Sequence, residues 1–282
     1  MKYLLPERPP LVSVIICTRD QSALLEACVS GLLEQTAYPT LELVIIDNGS
    51  VEAKTVAYFD SLRKKSNVRI FRDDKVFNFS ALNNFGARQA QGSVLVFLNN
   101  DIKVIHEDWL AEMVSQALRP NVGAVGAKLL FANRRIQHAG VVLGLGGVAG
   151  HAFRHFPGAA WGYFGRAQLT QNFSAVTAAC MAIEKRKFEE AGGFDAVNLP
   201  IAYNDVDLCL RLKNLGYSQV WTPFATLYHL ESASRGVDNL DAAKMKRLKT
   251  EAEYMKKKWG DLLSHDPAYN PNLSLDNEEF LI

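Results

Sequence analysis

Three short, almost continuously apolar runs constrain this chain more than any other feature, because each ends abruptly in polar residues. They are LVSVIICT at 11–18 before Arg19-Asp20, LELVII at 41–46 before Asp47-Asn48-Gly49-Ser50, and VLVFL at 94–98 before Asn99-Asn100-Asp101. Runs of this length without polar alternation read as strands buried on both faces, and such strands belong to parallel sheets covered by helices. The segments between them supply those helices. In ALLEACVSGLLEQT, Leu24, Leu25, Cys28, Leu32 and Leu33 fall on one helical side. A second helix is expected from about Glu52 to Lys65 before a strand at NVRIFR, and a third starts near Ser80 and stops at Gly92. HEDWLAEMVSQAL makes a fourth, with Pro120 beyond its end. Strand and helix alternate as in a doubly wound α/β unit, so residues 1–121 are read as a nucleotide-binding half whose ligand sits at the carboxyl ends of the strands.

From residue 122 the rhythm changes. VGAVGAKLLF and RIQHAGVVLG suggest short strands, and a glycine-rich loop at 144–168 carries Phe153, Phe156, Trp161, Tyr163 and Phe164 without periodicity. A long irregular loop of this kind is functional or mobile more often than core. AVTAACMAIEKRKFEEAGGFD reads as a buried segment with a short helix, YNDVDLCLRLKNLGY as a helix, and YSQVWTPFATLYHLES as strand-like. No repeat or linker sets this part aside, so 122–239 is read as a region inserted into the same unit. Residues 240–282 then form a terminal helix and tail. Met245, Leu248, Ala252, Met255 and Trp259 make one stripe of that helix among basic residues such as Lys246, Lys249 and Lys256. This fits a docking helix with a solvated face, or one that meets a membrane or partner helix.

Thirty-one Lys plus Arg against thirty Asp plus Glu give a formal charge of +1, so no global field favours nucleic acid and any anion must be met locally. The four cysteines are widely spaced with no CxxC pair, as expected of reduced, mostly buried thiols. MKYLLPERPP reaches Glu7 and paired prolines before an apolar leader could develop, and the apolar run at 139–150 is too short to span a bilayer. A cytoplasmic chain is expected, with peripheral attachment at the inner face of the cell membrane left open.

The polar strand ends carry the chemistry. Asp101 supplies a carboxylate directly after a buried strand, while Asn99 and Asn100 offer neutral oxygens. The triplet is either a strand-stopping turn, where these residues are favoured for backbone reasons, or a site that holds a negative group through a metal. His229 is either a structural imidazole or a completion of that metal shell. Asp205 and Asp207 open a predicted helix, where carboxylates meet a favourable dipole. At i and i+2 they cannot share one helix face, so distinct roles are expected.

At this point the chain resembles a known family. VSVIICTRD, LELVIIDNGS, NNFGARQAQGSVLVFLNNDIKV, AACMAIEKRKFEEAGGFDA, YNDVDLCLRLKNLGY and YHLESASRG, in this order over roughly 11–236, resemble family 2 glycosyltransferases of GT-A fold, especially bacterial rhamnosyltransferase-like enzymes of surface polysaccharide synthesis. The resemblance implies a doubly wound, mostly parallel sheet with an inserted acceptor-side region, so that 122–239 becomes the acceptor-binding and catalytic half. It implies a metal-dependent inverting enzyme using Mn2+ or Mg2+, a UDP- or dTDP-sugar donor, and a saccharide or lipid-linked saccharide acceptor, with a membrane surface or a polysaccharide-assembly partner nearby. By the same resemblance, Thr18, Arg19, Asp47 and Asn84, the last with Gly86, would contact the nucleotide, as would Asn99, Asn100 and Arg235. Asp101 takes the last carboxylate position of the Asp-x-Asp signature and would bind metal with His229. Asp205 would be the general base. The residues themselves offer Asp207, and in the loop Trp161, Tyr163 and Phe164, as acceptor contacts, since aromatic planes can cover apolar sugar faces. Asn99, Asn48 and Asn204 stand where relatives often carry acids, so a variant active site is expected. A non-catalytic glycan-binding or scaffold module and a sugar-nucleotidyltransferase are the alternatives. The second is disfavoured because CTRDQSALLEAC lacks a phosphate-cradling glycine loop.

Overall fold

The strand at 11–18 forms as β1 (Val12–Thr18), followed by α1 (Ser22–Glu34), β2 (Leu41–Asp47), α2 (Ala53–Leu62), β3 (Val68–Arg72), α3 (Phe79–Gln89) and β4 (Val94–Asn99) in a computed structural model that describes residues 3–230, 242–278, 280 and 281. β1 pairs in parallel with β2 and β4, and β2 in parallel with β3. Ile15, Val44, Ile46, Leu95 and Phe97 enter one apolar layer, and Val14, Ile16, Leu43, Ile45, Val96 and Leu98 enter the other. Both faces of these strands are therefore covered, which is why their sequences lack alternation. Gly86 lets α3 lie close on β1, since a Cβ there would meet Ile15 Cγ2 at 2.5 Å.

Continuing along the chain, β5 (Ile102–Val104), α4 (Trp109–Ala117), β6 (Val122–Leu130), β7 (Ile136–His138), β8 (Val141–Leu143), β9 (Ala149–His151), β10 (Gln171–Phe173), β11 (Cys180–Glu184), α5 (Lys185–Glu190), α6 (Asn204–Asn214), β12 (Ser218–His229) and α7 (Ala242–Trp259) complete the described elements. VGAVGAKLLF makes one nine-residue buried strand rather than short ones. Gly126 lets a neighbour approach it closely, as its absent Cβ would lie 2.6 Å from Val176 Cβ. The main sheet runs β10-β12-β6-β11-β4-β1-β2-β3, so strands from both halves of the chain share one sheet. β11 is antiparallel to β4 and to β6, while β12 is parallel to β6. Hence β3, β2, β1, β4, β6 and β12 all point the same way, and the sheet is mostly parallel.

Two consequences of this topology place the site. Because β11 runs against β4, its start lies beside the end of β4, and Asn99 N donates to Ala179 O at 3.0 Å. β12 pairs with β6 over its first half, shifts register between Thr222 and Thr226 around Pro223, and then also pairs antiparallel with β5. Proline cannot serve an unbroken ladder, and the irregularity re-aims the strand.

A buried ammonium fastens the far end of the sheet. Lys187 is fully buried, and its Nζ donates to Ala117 O (3.2 Å), Arg119 O (2.9 Å) and Val122 O (2.6 Å) while pairing with Glu184 at 2.5 Å. It satisfies the carbonyls left where α4 ends and β6 begins. Lys187→Met should therefore lower unfolding free energy by about 3 kcal/mol, since it leaves a carboxylate and buried carbonyls without their donor. Urea titration should show the midpoint fall with an unchanged slope.

Candidate active site

The three polar strand ends meet at one level. Thr18 lies opposite Asp47, and Cys17 opposite Asn99, in the parallel registers. Thr18 Oγ1 accepts from Asn100 Nδ2 at 3.0 Å, which joins the tip after β4 to the central tip of β1. Asp20 ties the first loop to the second: its Oδ1 accepts from Val51 N and Glu52 N, both at 2.8 Å, and its own N donates to Ser50 Oγ at 2.8 Å. Asp47 is buried, with Oδ1 accepting from Ser50 N (2.8 Å) and Oδ2 paired to Arg72 (3.0 Å), so it braces this loop. Asn48 Nδ2 donates to Asp73 O and Lys75 O, both at 2.8 Å, which fixes the orientation of its amide. Its Oδ1 is buried and has no hydrogen-bond partner among the described residues. Arg19 is exposed on the same rim.

Asn84 departs from the expectation of a nucleotide contact. Its Nδ2 donates to Phe194 O (2.8 Å) and its Oδ1 accepts from Phe194 N (2.9 Å). Both ends of the amide are thus used to clamp the backbone of residues 193–194 onto α3, and the residue is structural.

At the end of β4 the antiparallel register sets His229 opposite Ile102, and Leu230 N donates to Asp101 O at 3.0 Å. His229 Nε2 consequently lies 3.1 Å from Asp101 Oδ1 and 3.1 Å from Asn99 Nδ2, in surroundings that leave both His229 and Asp101 under a tenth exposed. On the other side of the ring, Nδ1 is 2.7 Å from Gln137 Oε1. An amide oxygen only accepts, so Gln137 accepts from the Nδ1 N–H, and Nε2 faces the Asp101 carboxylate and the Asn99 amide. Two electron-pair donors at this separation suit a cation between them, and an imidazole nitrogen with a carboxylate is a donor set for Mn2+. Among the described residues no third His, Cys, Asp or Glu joins them. Such a cation would draw its remaining ligands from diphosphate oxygens and water.

A cavity of about 380 Å³ opens beside this pair, lined by Asn99, Gln137 and His229 on one side and by Asp205 on the other. Tyr203, with φ of 56°, turns the chain into α6, which brings Asp205 to the helix start. Asp205 Oδ2 accepts from Ala178 N (3.0 Å) and Oδ1 from Val206 N (2.8 Å), so the segment leading into β11 and helix α6 fix the carboxylate jointly. Arg154 and Arg247 also line the cavity, as do His151 and Thr177. His138, buried beneath, accepts from Thr177 N at Nε2 (3.5 Å) and lies 3.0 Å from His151 Nδ1 through its own Nδ1. Burial, with His151 and His229 nearby, pushes the His138 pKa well below the ordinary imidazole value. A neutral His138 that accepts at Nε2 must donate from Nδ1, which leaves the N–H of His151 on Nε2.

Asp207 is a correction to the expected acceptor contact. It is fully buried, with Oδ2 accepting from Arg211 Nε (2.8 Å) and Oδ1 meeting Lys258 Nζ (2.6 Å) and Trp259 Nε1 (3.0 Å). It docks α7 onto α6 and cannot reach a ligand. The loop aromatics stand elsewhere. Trp161 and Phe164 are 71% and 86% exposed, and neither they nor Tyr163 line the cavity. Phe153 is buried and stacks on Phe280 at 4.2 Å, with Tyr163 packed on the same ring at 5.9 Å, and Lys128 Nζ ties the loop through Gly158 O (2.8 Å) and Ala167 O (3.1 Å). The loop instead presents His151 and Arg154 to the cavity. Arg235 lies outside the described residues. Gln137, Arg154 and Arg247 carried no signal in the sequence, being single polar residues in unremarkable settings.

Comparison with known proteins places this geometry in context. Residues 13–192 match the family model described as Glycosyl transferase family 2. Over 98% of its length the chain is 49% identical to the uncharacterized protein y4gI of Sinorhizobium fredii, and the match covers 30% of that protein. Over 94% of its length it is 40% identical to the O-antigen biosynthesis protein RfbC of Myxococcus xanthus, covering 20% of it. The chain thus spans less than a third of the length of these curated relatives. Among solved structures, the mannosyltransferase PcManGT from Pyrobaculum calidifontis, in complex with GDP-Man and Mn2+, aligns over 92% of this chain and 70% of its own at TM-score 0.63 and 16% identity. GalNAc-T7 with UDP, GalNAc and Mn2+ aligns over 90% of this chain and 50% of its own at TM-score 0.70 and 17% identity.

Proposed function

The chain belongs to glycosyl transferase family 2 and has the GT-A fold, and from that premise we propose that it moves a sugar, with inversion, from a nucleoside-diphosphate donor to a saccharide hydroxyl in bacterial surface polysaccharide synthesis. The observation that carries this reading is one cavity bounded on one side by the residues around the Asp101–His229 pair and on the other by Asp205. A donor-side cation site and an acceptor-side carboxylate are the two requirements of a single displacement at an anomeric carbon. The O-antigen biosynthesis relative supports the polysaccharide setting.

On the donor side, Thr18, Arg19, Asp47, Asn99 and Asn100 form the rim on which the nucleotide would rest. A UDP- or dTDP-sugar is the donor proposed for this rim, and Asn48 beside it is buried and oriented by Asp73 O and Lys75 O. Asp101 and His229 would hold Mn2+ or Mg2+, whose charge would offset that of the departing diphosphate. On the acceptor side, Asp205 takes the proton of the attacking hydroxyl as its oxygen bonds to the anomeric carbon and the bond to the diphosphate breaks, with the electron pair leaving on the nucleotide. The backbone donors at Ala178 and Val206 hold that carboxylate in place, so positioning does not depend on the substrate. A lipid-linked saccharide would be met at a membrane face, where α7 exposes Lys246, Lys249, Lys256 and Lys257. No described helix is long and apolar enough to cross a membrane.

With UDP- and dTDP-sugars and saccharide acceptors, Asp205→Asn should lower kcat about 10²- to 10⁴-fold while nucleotide binding persists, and near-normal turnover would remove Asp205 from the base role. Gln137→Ala should weaken Mn2+-dependent nucleotide binding about 10- to 100-fold by releasing the His229 ring, as read by calorimetry. Affinity indifferent to that change would sink the assignment of His229 as a ligand.

A further inference from the structure

The cavity lined by Asp205 has a neighbour at His151 and Arg154. A second cavity, of about 530 Å³, has Ala149, His151 and Arg154 in its lining as the first does, together with Asp276, Asn277 and Glu278 of the C-terminal tail. Each volume is in the range of sites that enclose a small ligand. The tail is built in as a wall: Asp266 accepts from Leu143 N (2.7 Å) and Ser174 Oγ (2.5 Å), Gly146 N donates to Leu275 O (3.4 Å), and Phe153 N donates to Glu278 O (3.2 Å). Phe280 then stacks on Phe153 and closes the attachment.

The junction of the two cavities is also fixed. His151 pairs opposite Val141 across the β8–β9 hairpin, and its hydrogen bond with His138 holds the ring with Nε2 as its N–H. Arg154 lies over the Phe131 ring at 5.6 Å. The far cavity combines carboxylates at Asp276 and Glu278 with the Asn277 amide, against the guanidinium of Arg154. Carboxylates accept from sugar hydroxyls, whereas the guanidinium and the amide N–H donate to them, so vicinal hydroxyls are served from both sides. The same carboxylates repel an anionic sugar.

We propose that the tail cavity is a second acceptor subsite, which takes the neutral sugar next to the one whose hydroxyl attacks, so that the acceptor is an oligosaccharide at least two residues long. This rests on the reading of the Asp205 cavity as the acceptor site. His151 and Arg154 contact both sugars at the junction, and the C-terminal tail measures acceptor length.

The test uses the full chain and a panel of neutral methyl monosaccharides with the corresponding 1→2-, 1→3- and 1→4-linked disaccharides, with affinities from ligand-observed NMR. At least one disaccharide should bind ten-fold or more tighter than either of its monosaccharides. In Asn277→Trp, which fills the far cavity, that gain should fall below three-fold, with monosaccharide affinity as the internal reference. Glu278→Gln, a near-isosteric change, should lower the gain in the same direction and covers the case in which the tryptophan variant does not fold. Disaccharides no tighter than monosaccharides, or a gain undiminished in both variants, would overturn the subsite. UDP, dTDP and GDP binding with Mn2+ is measured on the wild-type sample. Nucleotide binding without a disaccharide gain defeats the subsite alone, and a disaccharide gain without nucleotide binding defeats the donor reading while the subsite stands.

Discussion

The antiparallel pairing of β5 with β12 is the constraint on which the site depends. Three residue pairs, Leu227 with Val104, Tyr228 with Lys103 and His229 with Ile102, set an imidazole beside a carboxylate from a distant part of the chain. A slip of one residue would turn His229 to the other face of the strand and dismantle the pair. The register is secured from the other edge, where β12 rejoins β6 after the irregularity at Pro223, with Thr226 opposite Lys128 and Tyr228 opposite Leu130. Two ladders thus fix one side chain, and Gln137, on a strand paired to β6 as well, fixes its ring.

A different device attaches the C-terminal segment. Three buried carboxylates each gain partners across the junction when that segment is docked, beyond the i,i+4 pairs of Asp207 with Arg211 and Glu251 with Arg247. Asp207 on α6 meets Lys258 and Trp259, Glu251 on α7 accepts from Ala202 N and pairs with Arg247, and Asp266 accepts from Leu143 N and Ser174 Oγ. A buried carboxylate without such partners would be strongly destabilising, so docking and folding of the body are coupled. Arg247, Asn277 and Glu278 reach the cavities because these three contacts hold their backbone.

The end proposed for the donor was legible in the sequence because its logic is local. Apolar runs without alternation gave β1, β2 and β4, and polar residues at their ends fell at one level in the sheet by topology alone. The side proposed for the acceptor was less legible because its residues do not reveal which way they face. α6 is buried around most of its circumference, so Asp205 and Asp207 differ only in whether Ala178 N or the pair Arg211 and Lys258 meets them. Arg211, four residues after Asp207, was the available hint of an internal pair. Asn84 looked like a ligand contact for the same reason, since a polar residue that clamps backbone is written with the same letter as one that binds. The packing of the aromatic loop was hidden because its anchor, Phe280, lies at the other end of the chain.

These differences divide the molecule physically. The groups proposed for the donor sit on strand ends whose spacing is set by the sheet. Those proposed for the acceptor sit on a hairpin, a loop and a tail held by side-chain to backbone contacts, such as Lys128 to Gly158 and Ala167 or Asp266 to Leu143. Anchors such as Lys128 and Asp266 do not line the cavities. On the proposed reading, residues such as Arg154, Asn277 and Glu278 can vary while those anchors keep the walls standing, which would allow the acceptor to change over one donor platform.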